Sequence, residues 1–207
     1  KGMNDKIKTV MFDFGGVLVD LDQSKCVEAF VKLGVNNIMD YISKYVQNGL
    51  FLDLEKGNVT NEEFHDRLRR ECGIDATDEQ INAAWCDFLI EIPTYKLQFI
   101  RELRKSKRVI MLSNTNAIHF DNWALDEFKK DGHDIDYYFD HCYLSYKMHC
   151  AKPEEEIFDR VIENEVDEPG EILFIDDGEK NVEMARRKGF NAILVKKKED
   201  WRYIFEE

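Results

Sequence analysis

The sequence predicts an α/β protein: an open, doubly wound parallel sheet with a helical subdomain inserted after its first strand. Three observations carry this. Apolar runs of strand length recur without polar alternation, as they do in strands buried on both faces of a sheet. Amphipathic helical stretches separate them, which is the strand–helix alternation of a parallel sheet. The stretch from 21 to 92 is different: it holds helical patterns and no convincing strand.

The first strand is "KTVMFDF" (8–14), followed downstream by "RVIMLSN" (108–114), "YYFDHCYLS" (137–145), "EILFIDD" (171–177) and "NAILVK" (191–196). Between and after these lie four helices. The first, 93–105, opens on Pro93, whose fixed φ and missing N–H suit a first helical position. The second is 116–130. The third, 153–165, opens on Pro153 and three glutamates, favourable against the positive end of the helix dipole. The fourth, 178–189, runs into Gly189, a natural stop. The insertion reads as helices at 24–34, 36–49, 60–72 and 77–90. Thr60 with Glu63 and Thr77 with Gln80 form two capping boxes, each a hydroxyl and a carboxyl or amide three residues apart.

A chain of 207 residues, 43% hydrophobic, can bury one sizeable core and a modest insertion. Its net charge of −13 argues against a nucleic-acid partner, since phosphate backbones are gripped by clustered Lys and Arg. A small anion needs only a local positive site and stays open. No apolar run is long enough to span a bilayer. The opening "KGMNDKIKTV" lacks the apolar core of a signal peptide, and Lys1 and Gly2 ahead of Met3 read as a tag remnant. The five cysteines are scattered and odd in number, as in reduced thiols of the cytoplasm. "HCYLSYKMHC" (141–150) raises zinc, but its spacing fits no common structural site. No membrane contact and no obligate protein partner are expected.

In open parallel sheets, ligands bind outside the carboxyl ends of the strands. Here those ends carry chemistry. The first strand delivers Asp13, the second Ser113 and Asn114, the fourth Asp176 and Asp177, and Lys152 precedes a helix start. Each has an ordinary reading: a turn cap, a helix cap, a "DDG" turn, a solvated lysine. Together they set three carboxylates, a hydroxyl and an ammonium on one rim. Clustered carboxylates need a cation, and an all-oxygen donor set selects a hard one such as Mg²⁺. Mg²⁺ beside a lysine and a hydroxyl makes a phosphate site. Gly15 and Gly16 let backbone N–H groups approach the anion closely.

"DFGGVL", "LSNTN", "AKPEEEIF" and "FIDDGEKNVEMARRKGF", in that order, resemble motifs I to IV of the haloacid dehalogenase (HAD) superfamily. The insertion resembles its helical C1 cap. The wording is closest to small sugar-phosphate phosphatases, glucose-1-phosphate phosphatases among them. The resemblance implies a core domain of 1–20 with 93–207 and a cap of 21–92. It implies a Mg²⁺-dependent phosphomonoester hydrolase acting on a small phosphorylated metabolite. Asp13 would be the nucleophile and form an aspartyl-phosphate. Phe14, Gly15, Ser113 and Asn114 would hold the phosphoryl group. Lys152 would bridge phosphate and Asp13. Asp13, Asp177 and the Gly15 carbonyl would bind Mg²⁺, and Asp176 would act through a water.

One position departs from the family. Its general acid/base aspartate falls where this chain has Gly15, so leaving groups that tolerate negative charge are expected to be favoured. Phenolic esters and sugar 1-phosphates qualify; sugar 6-phosphates and glycerol phosphate are poorer. Two alternatives follow: a metal-free dehalogenase-type hydrolase, against which the Asp176–Asp177 pair speaks, and a phosphate-binding protein without turnover. Among the remaining polar residues, His119 and Tyr143 and Tyr146 read as packing, Asp20 and Asp22 as caps or hinges of the insertion, and Glu55 and Lys56 as specificity candidates of the cap.

Overall fold

The computed structural model describes residues 5–43 and 49–206. The chain opens with β1 (Thr9–Phe12) and β2 (Asp20–Leu21). The insertion follows as α1 (Gln23–Lys32), α2 (Ile38–Ile42), α3 (Leu50–Glu55), α4 (Asn61–Cys72) and α5 (Asp78–Cys86), and closes on β3 (Leu89–Glu91). Then come α6 (Thr94–Leu103), β4 (Arg108–Ser113) and α7 (Ala117–His119), which runs through a π turn (Phe120–Ala124) into α8 (Leu125–Lys129). Next are β5 (His141–Leu144), α9 (Ser145–Met148), α10 (Glu155–Asn164), β6 (Ile172–Asp176), α11 (Glu179–Arg187) and β7 (Asn191–Leu194). A 3₁₀ turn, Trp201–Phe205, ends the described chain.

Five strands make one parallel sheet in the order β5-β4-β1-β6-β7. The central strand is the first in sequence, and all its residues are buried. Side chains alternate between faces. Val10, Phe12, Val109, Met111, Leu173 and Ile175 pack on one side, with Phe128 and Trp201. Met11, Ile110, Leu112, Ile172 and Phe174 pack on the other, with Phe158 and Val182 of α10 and α11. That is why the strands read as continuous apolar runs. Phe12 lies level with Met111 and Ile175, so Asp13, Ser113 and Asp176 leave the sheet at one edge.

The helical insertion has its own core. Phe51 of α3 sits at its centre and meets Phe30, Phe64 and Trp85 edge to face, with ring centroids 6.2, 5.2 and 4.8 Å away. Both capping boxes form, at Thr60–Glu63 and at Thr77–Gln80. Ile118 of α7 joins the same cluster and ties it to the sheet domain.

Several boundaries differ from the sequence expectation. β2 and β3 pair antiparallel at the neck of the insertion, where no strand was expected; two or three residues are too few to show a period. Leu89 and Ile90, expected to close a helix, belong to β3, and α5 ends at Cys86. α3 is a helix the pattern did not mark. Part of the helix expected over 36–49 lies outside the described residues. Pro93 is the cap residue before α6 rather than its first member. Pro153 does not open α10: it follows a cis peptide, and the helix starts at Glu155. Of the run 137–145 only His141–Leu144 is strand, because the chain first makes a 3₁₀ turn, Ile135–Tyr137. Gly189 does stop α11, at a φ of 94° that favours glycine. No helix among the described residues is long and apolar enough to cross a membrane.

Candidate active site

Lys152 is the centre of the sheet edge. Its side chain is 2% exposed. The ammonium donates to Asp13 Oδ1 at 2.8 Å, to Asp176 Oδ2 at 2.7 Å and to the Leu112 carbonyl at 2.9 Å, so all three of its protons are placed. The backbone of Lys152 is held as firmly. Asn114 Nδ2 donates to its carbonyl at 2.9 Å and Asn114 Oδ1 accepts from its N–H at 2.8 Å. Both ends of the Asn114 amide are therefore used to fix the lysine loop beside β4.

Asp13 continues the β1 ladder, its N–H donating to Ile175 O at 2.9 Å. Its Oδ1 also accepts from the Phe14 N–H at 2.7 Å. Asp176 is fully buried: the Gly178 N–H and Asn181 Nδ2 donate to its Oδ1 at 2.6 and 3.1 Å. Asp177 is half-buried. Asp13, Asp176 and Asp177 each offer a carboxylate oxygen within 4.8 Å of the others. Among the described residues no other group of three His, Cys, Asp or Glu side chains converges in this way, so the histidines and cysteines of 141–150 form no zinc-like cluster.

Burial, and then the Asp176 carboxylate, push the Asp13 carboxyl well above its ordinary range, while Lys152 pulls the other way. Burial also works against the charge on Lys152, but Asp13 and Asp176 outweigh it and hold the lysine protonated. Three carboxylates face one ammonium. The cluster has an excess of negative charge and offers only oxygen donors, which suits a hard divalent cation.

A cavity of about 520 Å³ opens over this edge. Asp13, Phe14, Gly15, Asn114, Lys152 and Asp177 line its floor; Ser113 and Asp176 lie behind that wall. The insertion supplies the roof through Phe51, Glu55, Lys56, Trp85 and Phe88. Roof and floor are joined at Ser145, whose buried hydroxyl accepts from the Thr115 N–H at 2.9 Å and lies 2.8 Å from the Glu55 carbonyl. Lys56 Nζ meets Glu154 Oε2 at 2.6 Å. Ser145 opens the "SYKM" stretch whose wording resembles the sugar-phosphate phosphatases, but its partners lie far away in sequence, so this joining role could be found only in the fold. Asn181 is likewise found only through its contact with Asp176.

His119 stacks on Trp85 with ring centroids 4.2 Å apart, and its Nε2 lies 2.8 Å from the Trp85 carbonyl. A carbonyl only accepts, so Nε2 carries the proton. Burial pushes its pKa down to about 4, leaving it neutral. Asp22 caps α1 through the Ser24 N–H at 3.0 Å, and Asp20 pairs with Glu91 in the neck ribbon; neither lines the cavity.

Gly16 is forced. Its φ is 85°, and a Cβ there would stand 2.3 Å from Asp177 Oδ2. Gly16→Ala should displace that carboxylate, cutting turnover by about tenfold or more and weakening Mg²⁺ binding in a titration. Unchanged metal affinity would mean that Asp177 tolerates the shift. Gly15 is not forced: a Cβ would meet only the Leu21 side chain, at 3.4 Å from Cδ1 and 3.7 Å from Cδ2.

The haloacid dehalogenase-like hydrolase family matches residues 7–189. The chain belongs to that family. The HAD core supplies the parallel sheet, and the enzyme is a hydrolase. D-ribitol-5-phosphate phosphatase of Bacteroides thetaiotaomicron is 41% identical over 197 residues, covering 95% of this chain and 95% of that protein. A HAD family enzyme of the same organism, solved with magnesium and inorganic phosphate, superposes with a TM-score of 0.92 at 42% identity, covering 97% of this chain and 100% of that one. A HAD-like hydrolase of Porphyromonas gingivalis is 36% identical with a TM-score of 0.90, covering 98% of this chain and 99% of that one. An L-2-haloacid dehalogenase of Xanthobacter autotrophicus shares the fold, with a TM-score of 0.60 at 20% identity, covering 91% of this chain and 77% of that one.

Proposed function

We propose that this HAD hydrolase is a Mg²⁺-dependent phosphatase of a small sugar or alditol phosphate. The observation that carries the reading is the Lys152 ammonium shared between Asp13 and Asp176 on the floor of a closed-over cavity. It places positive charge beside the one carboxylate that both lines the cavity and ends the central strand. Asp13 would attack phosphorus along the cavity axis and carry the phosphoryl group until water removes it. Lys152 and backbone N–H groups would neutralise the phosphoryl oxygens, and Ser113, buried behind the cavity wall, would back that floor rather than reach the phosphate. Asn114 would act through Lys152, whose backbone it grips, more than on the phosphate. Asp13, Asp177 and the Gly15 carbonyl would hold Mg²⁺, with Asp176 behind them, and the ion would add positive charge against the transferring group.

The helical segment between β2 and β3 would serve as the cap that selects the substrate, since it lines the roof. The relative's substrate, ribitol 5-phosphate, is the ester of a primary alcohol. Substrates of that kind fit a cavity with a polar floor and an aromatic roof. The five cysteines are free.

Phosphate release from a panel of alditol, sugar and aryl phosphates tests the reading. EDTA should silence turnover, Mg²⁺ should restore it and Ca²⁺ should restore it poorly, because calcium prefers more ligands at longer distances. Mg²⁺ should also raise Tm in the wild type and not in Asp177→Asn. Halide release that survives chelation would favour the dehalogenase alternative instead.

A further inference from the structure

We propose that Glu55, at the end of α3, is the proton donor to the departing oxygen, and then the base that takes a proton from water. It would fill from the roof the role that Gly15 leaves empty on the floor. The proposal rests on the phosphatase reading above. Glu55 lines the same cavity as Asp13 and Lys152, is 8% exposed, and has its backbone carbonyl anchored by Ser145. Among the described residues no hydrogen bond fixes its carboxyl, which leaves it free to engage a ligand.

The other titratable groups around the cavity are already committed or unsuited. Asp13 and Lys152 bind each other, and Asp177 belongs to the carboxylate cluster. Glu154 is held by Lys56 and by the Ala151 N–H. His119 is neutral and donates its Nε2 proton to the Trp85 carbonyl. Lys180 and Lys197 also line the cavity, and neither carries a carboxyl. Glu55 stands apart from all of these. Burial pushes its pKa up to about 7, against the pull of Lys152 and Lys56 and with a small push from Glu154. A carboxyl so placed can give and regain a proton at neutral pH.

The steps balance. As an Asp13 oxygen bonds to phosphorus, the phosphorus–ester oxygen bond breaks, and that oxygen takes the Glu55 proton and leaves as the alcohol. A water then attacks phosphorus, gives a proton to the Glu55 carboxylate, and the phosphorus–Asp13 bond breaks. Phosphate, free Asp13 and protonated Glu55 result. A primary alkoxide is a poor leaving group, so the chemistry of an alditol 5-phosphate demands such a donor.

The test is kcat/KM for esters matched in size but differing in leaving-group acidity. Wild type should show a shallow dependence. Glu55→Gln, nearly isosteric, should lose about 10²–10⁴-fold on primary alkyl phosphates and less than about tenfold on phenolic ones, in kcat rather than KM. Glu55→Asp keeps a proton donor on a shorter arm and should lose less than Gln on the alkyl esters. Gly15→Asp added to Glu55→Gln should restore alkyl turnover. A uniform loss across esters, a loss confined to KM, equal losses in the Gln and Asp variants, or no loss would each overturn the role. If wild type hydrolyses no ester, the phosphatase reading falls and this one with it; uniform losses in an active enzyme remove Glu55 alone.

Discussion

Asp13→Asn should lower phosphate release by several orders of magnitude while the protein stays folded. The amide oxygen can still accept from the Phe14 N–H and from Lys152, so the local geometry survives, and no bulk is added. What disappears is the carboxylate proposed as the nucleophile. Residual activity within about tenfold of wild type, worth only about 1.4 kcal/mol of barrier, would mean that water attacks directly and Asp13 merely holds the metal. Stability supplies a second readout. The Asp13 pKa is raised in the fold, chiefly by burial and by Asp176. The folded state therefore binds this proton more tightly than the unfolded state. Stability falls as pH rises from the unfolded value near 4 through the raised native one. At pH 7 without Mg²⁺, the neutral amide should remove that penalty and raise Tm. The gain should shrink toward pH 4, where the wild-type carboxyl is itself protonated. A Tm equal to wild type at every pH would show that Lys152 already compensates the charge in full.

Which features were legible in the sequence follows from where their causes lie. The three inner strands β4, β1 and β6 were legible because each is buried on both faces, and burial of that kind writes itself into a continuous apolar run; the edge strands β5 and β7 are partly exposed, and they followed from their place in the strand–helix alternation. The capping boxes at Thr60 and Thr77 were legible because both partners sit three residues apart. The rim residues Asp13, Lys152 and Asp177 were legible through strand ends and motif order, which are local features as well. β2 and β3 were not, since a ribbon of two or three residues has no period. Pro153 misled because a proline after a lysine carries no mark of its peptide geometry. Ser145, Asn181 and the grip of Asn114 on Lys152 arise from pairs brought together only by the fold. The weight on Glu55 has the same origin: sequence made it one of two specificity candidates, with Lys56, and burial over the cavity sets it apart.

Lys152→Met should cost both activity and stability, and Mg²⁺ should separate the two. Methionine matches the length of the lysine stem and keeps its packing, so the change isolates the ammonium. Removing one partner of a buried pair leaves uncompensated charge, at a cost of about 3–5 kcal/mol. In a chain of this size that lowers Tm by roughly 6–20 °C. Lys152 itself is no source of pH dependence here. Its pKa is raised by Asp13 and Asp176 against burial, so its contribution is fully present below its unfolded value and is lost only as pH rises through the still higher native one. Between pH 4 and 8 the deficit of the variant must therefore follow Asp13, whose carboxyl goes higher still once the ammonium no longer pulls it down. The Tm difference from wild type should be largest near pH 8 and smallest near pH 4. Saturating Mg²⁺ should return part of it, because an ion that binds only the folded state stabilises by about 2.7 kcal/mol at a hundred times its Kd. Turnover should not return, because the cation restores charge balance among the carboxylates without replacing the donor that faces Asp13. Recovery of turnover with Mg²⁺ would mean that Lys152 only balances charge and takes no part in positioning the nucleophile.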